Sequence, residues 1–97
     1  CLTLWLTNVL MAEQGQEADD PQALKSFAVY KKELLETLAS LPGQVILVSN
    51  EVGQGIVPMG ELSRRFVDEA GWLHQDIARI AQKVTLVVAG LPLQLKN

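Results

Sequence analysis

Ser49, Asn50 and Glu51 follow directly on the apolar run "QVILV" and set a hydroxyl, an amide and a carboxylate side by side. Such a set could hold a hydrated Mg²⁺, orient a water, or accept the proton of a substrate hydroxyl. The plainer account is a turn, closed by Asn50 and Glu51 through nearby backbone N–H groups. Gly53, Gly55 and Pro58 complete the stretch "VSNEVGQGIVP". Its glycines lack the third member of a dinucleotide fingerprint, and no G-x-x-x-x-G-K-[ST] run occurs in the chain. The chain therefore carries no phosphate loop of its own. The glycines serve positive φ or a close backbone approach.

Other residues offer weaker chemistry. Arg64 or Arg65 could clamp a phosphate in bidentate fashion; an i,i+4 pair of Arg64 with Asp68 on a wet helix face is the plainer reading. His74 is the single histidine, and no Cys or Asp stands at ligand spacing from it, so it reads as a surface or loosely packed residue rather than a metal ligand. Trp5 and Trp72 read as core or interface anchors, and Cys1 as a small buried apolar residue. Thr3 and Thr7 become ligand candidates only if a preceding strand leads into this edge.

These residues need elements to hold them. Leu2, Trp5, Leu6, Val9 and Leu10 recur at helical spacing, while the alternation of Leu2, Leu4 and Leu6 leaves a strand as second choice. "AEQGQEADD" is polar and aperiodic and reads as a solvent loop. Asp20 before Pro21 gives a helix start, continued by Leu24, Phe27, Ala28, Leu34, Leu35 and Leu38. Lys31, Lys32, Glu33 and Glu36 fall on its wet side, and Pro42 with Gly43 ends it. "QVILV" (44–48) and "KVTLVVA" (83–89) read as strands buried on both faces. Between them, Leu62, Phe66, Ala70, Leu73, Ile77 and Ile80 or Ala81 form the stripe of a long helix from Glu61. "LQLK" reads as a short terminal strand. Strand, helix and strand in that order predict a right-handed crossover in a mostly parallel α/β sheet. In such sheets ligands sit beyond the carboxyl ends of the strands, where residues 49–51 fall.

Composition sets the outer bounds. The chain has 97 residues, one domain at most, with 48% hydrophobic and 20% charged residues, which is ordinary globular composition. A net charge of −3 gives no electrostatic case for nucleic acid. The single cysteine cannot form an internal disulfide and favours a reducing, cytoplasmic compartment. No apolar run reaches the roughly 18 residues of a membrane span. The chain opens on Cys1 inside an apolar segment, which reads as part of a longer protein. Two strands do not make a stable parallel sheet, and the expectation is that a preceding segment supplies the others.

"CLTLWLTN", "VSNEVGQGIVP", "LSRRFVDEAGWLHQDIA" and "VTLVVAGLPLQLK" occur in this order. Together they resemble the C-terminal half of the bifunctional adenosylcobinamide kinase / adenosylcobinamide-phosphate guanylyltransferase family of cobalamin biosynthesis. The resemblance covers nearly the whole chain outside Gly15–Ser40. It implies that residues 1–97 are the C-terminal portion of one P-loop, RecA-like α/β domain. Such an enzyme phosphorylates adenosylcobinamide with ATP or GTP, then moves GMP from GTP to the new phosphate through a guanylylated histidine. The family's phosphate loop, Walker-B-like acidic residue and nucleotide-accepting histidine would all lie before Cys1, the loop by roughly 70 to 80 residues. His74 is not that histidine, since it stands in "GWLHQ" where the family usually has Asn. By position, Thr3 would lie near the nucleotide, and Asn50 and Glu51 would face its phosphates. The resemblance assigns no role to Arg64, Arg65 or Asp68. It also implies Mg²⁺ and a homotrimer, with Trp72 or "LPLQLK" at the contact. The 97 residues alone are expected to be inactive. The rival reading is a non-catalytic binding or assembly module that keeps the sheet and not the site.

Overall fold

A computed structural model describes residues 1–15, 26–52 and 60–97. Helices α1 (Leu2–Gly15), α2 (Phe27–Ser40) and α3 (Glu61–Ile80) precede a hairpin of β1 (Val84–Val88) and β2 (Leu91–Lys96). The chain is thus α/β among the described residues.

The helical reading of the opening segment holds. Leu2, Leu6, Val9 and Leu10 are buried along one face of α1, as a 3.6-residue period requires. Trp5 leans on Phe27 with ring centroids 6.2 Å apart. Cys1, expected to be buried, is exposed; it precedes the first turn, and its carbonyl accepts the Trp5 N–H at 3.1 Å. The helix also runs through Ala12–Gly15, where a solvent loop was expected. Glu13 explains the extension. It lies four residues beyond Val9, on the buried face, and is held by partners on both other helices.

Expected to begin at Pro21, α2 instead begins at Phe27, led by Ser26 in extended conformation (φ −73°, ψ 159°). Asp20, Pro21 and Leu24 lie outside the described residues. The Phe27 N–H donates to Glu13 Oε2 at 2.9 Å, so a carboxylate from α1 satisfies an open donor at the positive end of α2. Phe27 is buried, but Ala28 is exposed, so the stripe is narrower than expected. Leu41 closes the helix through its N–H to Thr37 O. Gly43 follows at φ +84°, a turn conformation that side chains disfavour.

On α3 the stripe is anchored by buried Ala70 and Leu73, with Phe66 partly buried against the same core. The Leu62 side chain lies outside the described ones. The core sits where the three helices meet, around Leu6, Val9, Leu10, Phe27 and Ala70. Each such large aliphatic side chain contributes roughly 1.5–3 kcal/mol of burial.

The strand side departs from expectation. β1 pairs antiparallel with β2, matching Leu86 with Leu93 and Val88 with Leu91. Ala89 (φ 52°) and Gly90 (φ 76°) connect them, the double positive φ of a two-residue type I′ turn. At the other end, Lys96 Nζ donates to the carbonyls of Ala78 and Arg79 at 2.8 and 3.2 Å, satisfying acceptors at the C-terminus of α3. The parallel crossover between 44–48 and 83–89 is not what the described residues form. Among the described residues segment 44–48 joins no ladder; the Leu2 N–H at the start of α1 donates to Val48 O at 2.9 Å. Val45, Ile46, Leu47 and Val48 are exposed rather than covered on both faces, as are Val87 and Val88 of β1. The molecule measures 47 × 38 × 17 Å. Helices on both sides of a sheet need roughly 30 Å, at about 10 Å per layer, so the described residues form no such sandwich.

Candidate functional site

Segment 48–50 is docked on two helices. The Val48 carbonyl accepts the Leu2 N–H at the start of α1. Ser49 Oγ lies 2.6 Å from His74 Nε2 on α3. Both the backbone N–H and the side-chain Nδ2 of Asn50 donate to Thr3 Oγ1, at 3.2 and 3.3 Å. Thr3 and Asn50, 47 residues apart, therefore meet. Asn50 bonds across the fold and not only within its own turn. Glu51 is exposed beside them. Gly53, Gly55 and Pro58 lie outside the described residues.

The edge combines a half-buried hydroxyl at the first turn of a helix, an amide and a carboxylate. Having accepted two hydrogen bonds, Thr3 keeps its O–H as a donor, and Asn50 keeps its carbonyl oxygen as an acceptor. Donors at the start of a helix suit an anionic ligand. Thr7 turns inward on its own helix, donating to Thr3 O at 2.9 Å, and does not join the edge. An apolar groove lined by Leu38, Leu41, Val45, Leu47, Ile77 and Ile80 includes none of Thr3, Asn50 and Glu51.

His74 is half-buried and engaged with Ser49, not a loose surface residue. Arg64 and Asp68 are exposed on α3; Arg65 makes the ion pair, its Nη2 3.0 Å from Glu13 Oε2. Lys31, expected on a wet face, is engaged with Asp76 at 2.7 Å, and Asp76 also meets Arg79. Burial pushes the Glu69 carboxyl above its ordinary value against the pull of Lys31 and Arg65. The Lys31 hydrogen bond holds Asp76 below its own. This charged network joins α1, α2 and α3 and was missed from sequence. The signal for Glu13 was present, since it continues the buried period of α1. Ser49 and His74 carry no periodic signal that pairs them.

Residues 1–95 match the family model described as cobinamide kinase / cobinamide phosphate guanyltransferase. The chain belongs to this family. It is 59% identical over 97 residues to the bifunctional adenosylcobalamin biosynthesis protein CobP of Pseudomonas aeruginosa. That match covers 100% of the chain and 51% of the relative. To the bifunctional adenosylcobalamin biosynthesis protein CobU of Salmonella typhimurium it is 37% identical over 102 residues, covering 99% of the chain and 55% of the relative. CobU of Escherichia coli is likewise 37% identical, with the same coverage. The chain thus spans about half the length of the curated relatives it matches. Among the described residues of this cobinamide kinase / guanyltransferase family member, no helix is long and apolar enough to cross a membrane. Nor do three or more His, Cys, Asp or Glu residues group as a metal cage among them.

Proposed function

We propose that the chain is the C-terminal portion of a P-loop, RecA-like domain of a bifunctional cytoplasmic enzyme of adenosylcobalamin biosynthesis. That enzyme phosphorylates adenosylcobinamide with ATP or GTP. It then transfers GMP from GTP to adenosylcobinamide phosphate, giving adenosylcobinamide-GDP and releasing pyrophosphate. The observation that carries the reading is the meeting of Thr3 and Asn50 beside Glu51 at the first turn of α1. It assembles a polar edge from the residues the family resemblance assigns to the nucleotide.

In this reading the Thr3 hydroxyl donates to a phosphate oxygen, and Asn50 fixes that hydroxyl while facing the same ligand. Glu51 is the one carboxylate of the edge. A single carboxylate fits Mg²⁺ carried largely by phosphates and water, which the ion prefers to a full protein cage; bound there, Mg²⁺ would neutralise phosphate charge. The apolar faces of 44–48 and β1 fit a sheet completed by the remaining half of a protein as long as the relatives. Trp72 and β2 are left for a homotrimer contact.

The test is GMP transfer from GTP to adenosylcobinamide phosphate by the full-length protein, with Glu51→Ala as probe. We expect adenosylcobinamide-GDP from the unsubstituted protein, and at least a tenfold loss in kcat/KM from the variant, about 1.4 kcal/mol. Normal transfer by the variant would reduce Glu51 to a turn-former. The isolated 97 residues are expected to show no hydrolysis, kinase or transfer activity, because the phosphates lack their cradle. Failure of the full-length protein to bind GTP would favour the non-catalytic module instead.

A further inference from the structure

We propose that His74 is a positioning residue for the nucleotide edge, acting through Ser49. The inference rests on the nucleotide-site reading above. Three consecutive residues, Val48, Ser49 and Asn50, each have a separate anchor: Leu2 and Thr3 on α1, and His74 on α3. The anchors differ in quality. The Asn50 bonds to Thr3 are exposed and lie at 3.2 and 3.3 Å, whereas the Ser49–His74 bond is partly buried and measures 2.6 Å.

His74 follows Leu73, one of the most deeply buried side chains of the molecule. The backbone that carries the ring is therefore fixed by the helix core. Ser49 is half-buried, while Asn50 and Glu51 on its C-terminal side are exposed. The pair thus sits where ordered structure meets the exposed polar edge. Exposed hydrogen bonds alone hold such an edge weakly, and small misplacements of groups around reacting atoms are costly. Removing the His74 contact would take from the edge its half-buried side-chain anchor on α3 and leave Asn50 held by the longer, exposed bonds to Thr3. The Ser49 hydroxyl can donate or accept, so the contact asks for a hydrogen-bonding partner of the right reach rather than for imidazole chemistry.

The experiment measures KM for GTP and kcat of GMP transfer in the full-length protein. It compares His74→Phe, His74→Gln, Ser49→Ala and the double variant Ser49→Ala/His74→Phe, with a thermal melt of each as a check on folding. His74→Phe and Ser49→Ala should each raise KM for GTP about tenfold, the scale of one lost hydrogen bond. The double variant should be no worse than either single one, because both remove the same contact. His74→Gln, whose amide reaches as far as Nε2, should recover most of what His74→Phe loses. An unchanged KM in a folded His74→Phe, additive losses in the double variant, or Gln no better than Phe would each overturn the proposal. If Glu51→Ala impairs transfer while these changes do not, the positioning role alone fails. If Glu51→Ala is silent as well, the nucleotide-site reading falls and takes the positioning role with it.

Discussion

Leu6, Leu10 and Leu73 on the helical side are 1% exposed, while Ile46, Val48 and Val87 on the strand side stand 79, 66 and 64% exposed. All six are aliphatic residues, so side-chain hydrophobicity does not separate them. Backbone geometry does. A helix satisfies its own N–H and C=O groups and needs one stripe covered, which neighbours supply here through the periods of α1, α2 and α3. A strand needs partners along its edges for hydrogen bonds and cover on its faces for side chains. β1 finds one partner, β2, and segment 44–48 finds none among the described residues. The two regions show that these helices cover one another's stripes, while strands of similar side chains keep exposed faces among the described residues.

The largest expected effect tests this contrast directly. In the 97-residue chain, Leu73→Ala should cost about 2–5 kcal/mol, the usual range for truncating a buried leucine. Ile46→Ala should cost less than about 0.5 kcal/mol, as exposed changes do. Urea unfolding of the two variants checks both, and equal costs would break the comparison. In the full-length protein a completed sheet would lift the Ile46→Ala cost to about 2 kcal/mol or more; an unchanged small value would count against that sheet.

The same contrast decides what could be read from sequence. Helix positions were legible because one stripe, repeated every 3.6 residues, is both cause and signal. The start of α2 was misplaced because Asp20–Pro21 is a strong local cue, whereas the cap actually used on Phe27 comes from Glu13 on another helix. Glu13 continues the stripe of α1, but its polar neighbours made the helix look finished before it. On the strand side, "KVTLVVA" and "LQLK" were legible as strands, the second two residues short of β2. Their antiparallel pairing was not, since the turn uses Ala89 at positive φ, where Asn or Gly is the usual marker. Thr3 and Asn50 were drawn together by family resemblance alone. Ser49 and His74 share no pattern, because a hydrogen bond between distant elements leaves no period behind.

A smaller effect probes the joint that closes the helical side. Glu13 accepts the Phe27 N–H and pairs with Arg65, so Glu13→Ala removes a cap and an ion pair together. A cap is worth about 0.5–2 kcal/mol, and a partly exposed pair adds roughly 0.2–1 kcal/mol. The combined loss should therefore be about 0.7–3 kcal/mol by urea unfolding. Glu13→Gln keeps an acceptor for Phe27 and should lose about half as much. If Gln were as damaging as Ala, the ion pair to Arg65 on α3 rather than the cap on α2 would carry the effect of Glu13.

The smallest effect is a dependence on pH, and it separates two carboxylates on one helix. Asp76 is held below its ordinary value chiefly by the Lys31 hydrogen bond. Its stabilisation is therefore present above pH 3.8, the ordinary aspartate value, and fades as pH falls through the lower folded value. Glu69 has the opposite sign. Burial raises it, so its protonated form favours the fold below pH 4.5, and that advantage is lost as pH rises through the raised value. Acid thus first relieves α3 at Glu69 and only then weakens it at Asp76, which predicts a shallow rise and then a fall in the urea midpoint on acidification. Lys31→Met should blunt the acid-side fall, and Glu69→Gln should remove the rise. A midpoint indifferent to both substitutions would mean that the helices are held by their apolar core alone, with the charged network along for the fit.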